Sequence, residues 1–316
     1  MKDRRPKVHK NRRTTLLPRN ILIKFILIAT VVALLVGLGL PGASLSKPLL
    51  ARAAGSTSDL TPKDKVGAQL IWLWREDEAT MERIFGEMNA AGIEWLRTDF
   101  GWGTFEPLQG QWDWDRHDIF VKKARDHRIK LLGILSSTPS WANGKGDAFA
   151  AAFPPSPEKM DTWNTYVNTV CKRYGADVTA WEIWNEENIL SFSVDSGDKV
   201  AIYMNLVKRA SDEIRKPDVD PNATIVLGGV AGYDPGFIET CLKKDNGIGD
   251  EDTIKGAADY VDAVAFHPYP FVTNLWNGNP HPHEREMREK LRELHSLIGN
   301  PVYSSGKVLQ LWITEV

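Results

Sequence analysis

Seven short apolar runs recur along the chain, at Val66 to Trp74, Ile93 to Trp102, Ile129 to Leu135, Val178 to Trp184, Ala223 to Val230, Val261 to Phe266 and Val308 to Thr314. Each is rich in Val, Ile, Leu or Trp and has the length of a strand buried on both faces. The segments between them carry helical periodicity with legible ends. Ser156 and Pro157 supply an N-cap and a first-turn proline, and Met160, Trp163, Val167, Val170 and Tyr174 follow at three- and four-residue steps until Gly175 stops the helix. Met287, Leu291, Leu294 and Ile298 repeat the device, closed by Gly299 with Pro301 beyond. Strand and helix alternate, which predicts a parallel sheet with helical crossovers.

A doubly wound sheet and a (β/α)8 TIM barrel both satisfy that alternation. The first strand-to-helix loop, Leu73-Trp74-Arg75-Glu76-Asp77, lacks the glycines that let backbone approach a pyrophosphate. Polar and aromatic residues gather instead at the C-terminal ends of nearly every strand, where a barrel builds its active site. The expectation is an α/β fold of barrel type over residues 65–316. The last run reaches the end of the sequence, so the barrel is expected to be truncated after strand seven, with an eighth strand supplied by further sequence or the sheet closed by another segment.

Ahead of this region the pattern changes twice. Residues 1–24 are crowded with Lys and Arg and hold one acid, Asp3, and residues 25–40 are continuously apolar. A positive flank followed by an apolar run predicts a cytoplasmic basic segment, then a transmembrane anchor or signal segment, with everything after it outside the membrane or secreted. Residues 41–64, rich in Ser, Ala, Gly and Pro, read as a linker.

Composition adds limits. A net charge of -2 over 316 residues makes no electrostatic case for nucleic acid. The two cysteines, Cys171 and Cys241, fall in separate helical patterns and are expected as buried, unpaired thiols. Twelve tryptophans serve as core, or as flat apolar platforms on which sugar rings stack. The pair His281-Pro282-His283-Glu284 looks like metal-ligand spacing but sits in a polar loop with no further ligand identifiable, so no metal and no cofactor are expected.

Two strand ends match in kind. The fourth closes on Trp184-Asn185-Glu186 and the seventh on Trp312-Ile313-Thr314-Glu315. Opposed strands of one barrel can bring two such carboxylates face to face, as glycosidic-bond hydrolysis requires. One protonates the leaving oxygen while the other attacks the anomeric carbon or activates water.

At these residues the chain resembles a family. Arg97 in WLRTDF, the block FEPLQGQWDWD followed by KLLGILSSTPSWA, the WNE of strand four, AFHPY and LWITE are similar to the retaining glycoside hydrolases of clan A. The order and spacing are nearest to the family 39-like group. The resemblance implies Glu186 as acid/base, Asn185 beside it on the sugar 2-hydroxyl, and Glu315 as nucleophile. The chain departs from the family where Glu187 replaces the proline usual after the acid/base. Arg97 is expected to hold Glu315 ionised and oriented, and Glu182 is expected to be an interior ion partner, for Arg97 among others. Tyr269 is expected to donate to the nucleophile, and His267 to bind a sugar hydroxyl or orient the glutamates. Trp102 and Trp141, with Trp184 behind the acid/base, are the candidate sugar platforms. The expected activity is retaining hydrolysis of an extracellular oligo- or polysaccharide. An inactive sugar-binding barrel and a transglycosylase are the rival readings, separated from it by turnover and product analysis.

Overall fold

All seven predicted strands form, in a single parallel sheet whose spatial order is the chain order, β1 to β7. The computed structural model describes residues 66–146, 150–189, 198–243, 256–268, 284–304 and 306–315. These belong to the unit Leu60–Val316, and the basic segment, apolar run and linker read from the sequence lie outside the described residues. The strands are β1 Gly67–Gln69, β2 Trp95–Asp99, β3 Lys130–Leu135, β4 Val178–Asn185, β5 Thr224–Ala231, β6 Ala263–His267 and β7 Gln310–Ile313. Six helices of two turns or more lie among them: α1 Glu78–Ala91, α2 Asp115–Asp126, α3 Met160–Tyr174, α4 Lys199–Ile214, α5 Pro235–Leu242 and α6 Glu284–Ile298. No described segment pairs with the outer edges of β1 and β7, and no helix among the described residues is long and apolar enough to cross a membrane.

The inner face of the sheet carries Leu132, Ala180, Val226, Ala263 and Ala265, with Trp95 and Trp312 packed against them. Trp95 of β2 and Trp312 of β7 meet across that interior edge to face, their rings 5.4 Å apart, so strands distant in sheet order share one core. The outer face buries a larger apolar layer against the helices. Trp163, Val167, Val170 and Tyr174 of α3 lie in it, as the periodicity predicts, and so do Leu294 and Ile298 of α6.

The helix ends follow capping chemistry. Asp77 accepts from the Thr80 amide ahead of α1, which Gly92 closes in the left-handed conformation (φ 72°), and Asp198 accepts from Val200 and Ala201 ahead of α4. Ser156 and Pro157 open a single 3-10 turn, Pro157–Lys159, that feeds α3 directly. Cys171 and Cys241 are buried and unpaired, and burial raises both thiols well above their ordinary pKa.

The first two strands stop well short of the ends of their apolar runs. Beyond Gln69 the first run leaves the sheet, and Leu73 and Trp74 are buried in the helical layer, with Trp74 stacked on His117 at 4.4 Å. Beyond Asp99 the second run turns at Gly101 into one helical turn, Trp102–Phe105. Burial, not extended conformation, unites those apolar residues, and periodicity over so few positions does not separate the two.

Candidate active site

Strand alternation sets the site. On β2 the inward row runs Trp95, Arg97, Asp99, and Arg97 lies in register with Gln69 of β1 and Leu132 of β3. The Arg97 guanidinium is only 4% exposed, and every arm of it is used. Nε and Nη2 donate to the two carboxylate oxygens of Glu182 at 2.7 and 2.9 Å. Nη1 donates to Glu315 Oε1 at 2.6 Å, and Nη2 also donates to Asn185 Oδ1 at 2.7 Å. Burial works against the arginine's charge, but Glu182 and Glu315 outweigh it and push the pKa above the usual arginine value. One fixed cation thereby orients a buried structural acid, the strand-seven glutamate and the strand-four asparagine.

Glu315 receives a second donor, Gln69 Nε2, on the same Oε1 at 2.8 Å. Its other oxygen, Oε2, is turned toward His267, 3.7 Å from Nδ1. The same Nδ1 is 3.1 Å from Glu186 Oε1, while Nε2 is 3.1 Å from Thr314 Oγ1. His267 is fully buried and stands between the two glutamates, whose side chains remain 26% (Glu186) and 12% (Glu315) exposed. Facing oxygens of Glu186 and Glu315 and the His267 nitrogen all lie within 4.8 Å of one another. The ring reaches this position because Gly229 is opposite it: a Cβ there would fall 2.0 Å from Nε2.

The strand-four end departs from simple alternation. Trp184 has φ 72° and Glu186 φ 52°, left-handed values that cost a non-glycine residue about 1–2 kcal/mol each. Such strain persists where surrounding contacts over-determine it. Here it turns Trp184 back into the helical layer, 6.2 Å from Trp163, and leaves Asn185 and Glu186 at the mouth, with the Glu186 amide bonded to Gly229 O at 3.0 Å.

Five expected positions therefore come together: Arg97, Asn185, Glu186, His267 and Glu315. Glu182 is the Arg97 partner that was read from the sequence. His267 makes contacts with Glu186, Glu315 and Thr314. The tryptophans need correction. Trp184 is 2% exposed because of the backbone turn just described, and Trp102 is 0% exposed, stacked on Tyr166 at 5.2 Å with Nε1 donating to Glu106. Neither presents a ring face to a sugar. Trp141 stays half-buried, its Nε1 on Glu106 O, while Trp72, just beyond β1, is 54% exposed with the Arg75 guanidinium over its ring. Tyr269 lies outside the described residues.

Sequence reading missed Gln69, Thr314 and Asp99. Gln69 and Asp99 were detectable as polar residues in apolar runs, the latter two positions beyond Arg97 on the same inward row. Asp99 accepts from Ser136 Oγ at 3.1 Å, and burial pushes its pKa up to about 6 against that hydrogen bond.

Glu187, which stands where proline was expected, points away from the mouth and is fully buried between β4, β5 and α4. It fills the space that the missing side chain of Gly228 leaves, since a Cβ at Gly228 would lie 2.4 Å from Glu187 Oε2 and 2.9 Å from the Tyr203 hydroxyl. Neither carboxyl oxygen meets a hydrogen-bonding group of another residue. Burial, reinforced by the charges of Glu182 and Glu186, pushes its pKa up to about 8. In the unfolded chain the group ionises near its ordinary 4.5. Between those values the unfolded chain holds fewer protons, so unfolding free energy should fall as pH rises through that window, by on the order of a few kcal/mol. Glu187→Gln should flatten this slope between pH 5 and 8, as measured by urea unfolding at several pH values. An unchanged slope would mean that Glu187 does not carry the proton.

No family model matches the chain. Among curated proteins it is 23% identical over 210 residues to endo-1,4-beta-xylanase 2 of Claviceps purpurea, covering 61% of this chain and 58% of that protein. The chain spans between 24% and 58% of the length of the curated relatives it matches. Among solved structures, the family 39 glycoside hydrolase from Xanthomonas axonopodis pv. citri superposes with a TM-score of 0.54 at 19% identity, over 79% of this chain and 49% of that one. Xylanase 10B from Thermotoga maritima does so at 0.52 and 15% identity, over 80% and 70%. The seven-stranded parallel sheet with its helices is thus a glycoside hydrolase-like, TIM-barrel type of fold.

Proposed function

We propose that the chain is the catalytic region of a retaining β-glycoside hydrolase acting on an external β-linked polysaccharide. The observation that carries this reading is the pairing of Glu186 and Glu315 across the mouth, their facing oxygens within 4.8 Å. Retaining enzymes hold their carboxyl groups about 5–5.5 Å apart, whereas inverting ones leave about 6.5–9.5 Å for a water.

The division of labour follows from the hydrogen bonds. Glu315 Oε1 is occupied by Arg97 and Gln69, which stabilise the ionised form and leave Oε2 as the attacking atom. Glu186, on the more exposed side, gives its proton to the glycosidic oxygen as the bond to the anomeric carbon breaks and Glu315 Oε2 bonds to that carbon. Esterification removes the charge of Glu315. Glu186, now a carboxylate, takes a proton from water, whose oxygen displaces Glu315 and restores both residues. Asn185, its Oδ1 held by Arg97, keeps its amide N–H groups to donate to the sugar 2-hydroxyl. His267 fixes the distance between the two acids.

The curated relatives named as endo-1,4-beta-xylanases make β-1,4-xylan the first polymer to test. The basic segment and apolar run of residues 1–40 support a site outside the cytoplasmic membrane, anchored or secreted. Purified protein incubated with xylan, mannan, β-glucan and aryl β-glycosides should release reducing sugar from at least one of them. Sugar binding without turnover on any of these would favour a lectin-like protein instead.

A further inference from the structure

We infer that the same mouth is a binding site for a divalent transition-metal ion of the zinc type, bound by Glu186, His267 and Glu315. Three independent features point to it. The first is spacing. A tetrahedral site with ligand bonds of about 2.0–2.2 Å places its donor atoms about 3.3–3.6 Å apart. His267 Nδ1 lies 3.1 Å from Glu186 Oε1 and 3.7 Å from Glu315 Oε2, just outside that range on either side, and the three donor atoms lie within 4.8 Å of one another.

The second feature is the support behind the donors. Metal-bound histidines engage their second ring nitrogen with an oxygen, and metal-bound carboxylates are themselves hydrogen-bonded. His267 Nε2 faces Thr314 Oγ1 at 3.1 Å, and Glu315 receives Gln69 and Arg97 on the oxygen that points away from His267. The third is charge. Arg97 pairs with both Glu182 and Glu315, and with Glu186 beside them the cluster sets three carboxylates against that guanidinium in a largely buried mouth. A dication offsets that excess of carboxylate. With three protein donors the fourth position remains for water, and a bound ion blocks both catalytic oxygens.

The test is a titration of the full chain with cobalt(II), which reports four-coordinate binding by intense visible bands, followed by displacement with zinc. One equivalent should give the bands, and zinc should abolish them. Folded His267→Asn and Glu315→Gln should each weaken binding by more than about 100-fold. Thr314→Val, a milder change, should weaken it by about tenfold. A double substitution of His281 and His283 should leave it unchanged. A wild-type chain that shows only the weak bands of hydrated cobalt would overturn the inference, as would bands that survive in His267→Asn or vanish with His281 and His283. The inference concerns the site of the proposed hydrolase, yet the bands do not require turnover. Cobalt binding without glycosidase activity would uphold it and sink the hydrolase reading, whereas an active, cobalt-silent protein would do the reverse.

Discussion

Glu315→Gln should lower kcat on an aryl β-glycoside by roughly ten thousand-fold or more, the scale on which loss of a covalent nucleophile is felt. Glutamine keeps the volume and can still accept from Arg97 Nη1 and Gln69 through its carbonyl, so the fold around Arg97 should survive. What disappears is the anionic oxygen that faces the mouth. The glutamine change also leaves Arg97 with Glu182 alone as a charged partner, so a small loss of stability should accompany the much larger loss of rate. Wild-type turnover in a folded Glu315→Gln protein would remove this residue from the mechanism.

Glu186→Ala should have a smaller and more selective effect. General acid assistance contributes typically about 10²–10⁴-fold, and it matters only where the leaving group needs a proton. Natural polysaccharide and alkyl glycosides should lose that whole factor, whereas a dinitrophenyl glycoside should still form the covalent intermediate at near wild-type rate. Breakdown of the intermediate then becomes limiting because no base activates water. Azide, a nucleophile that needs no base, should restore turnover and yield a β-glycosyl azide. The half-exposed setting of Glu186 and the space that alanine opens beside His267 give azide a path. Equal losses on both substrates with no azide effect would contradict the acid/base role.

Much of this site was legible in the chain because its chemistry sits at strand ends, where polarity changes abruptly. Arg97, Glu182, Asn185, Glu186 and Glu315 are polar residues bounding or interrupting apolar runs, and strand alternation places Arg97 and Glu182 on the interior side. The tryptophans were not legible in the same way. Trp184 obeys the same alternation on paper, but its positive φ turns it into the helical layer, and no residue type announces that turn as a glycine would. Trp102 follows a glycine and opens a helical turn that packs on Tyr166, a contact made across more than sixty residues. Gln69 and Thr314 become important only because β1 and β7 approach each other at the mouth, through Gln69 and Glu315. Glu187 illustrates a different limit. Its departure from proline was visible, yet the cavity beside Gly228 that accepts its carboxyl is a property of β5 and α4, not of its own segment.

The central claim is double displacement by two glutamates, and the stereochemistry of the first product reports on it most directly. Proton NMR of a β-linked oligosaccharide or aryl β-glycoside during the first turnovers, before mutarotation, resolves the anomeric signal of the released sugar. Two displacements at the anomeric carbon, the first by Glu315 and the second by water, predict that the β-anomer appears first and the α-anomer grows in later. Initial appearance of the α-anomer would mean a single displacement by water, and Glu315 would then be a base rather than a nucleophile.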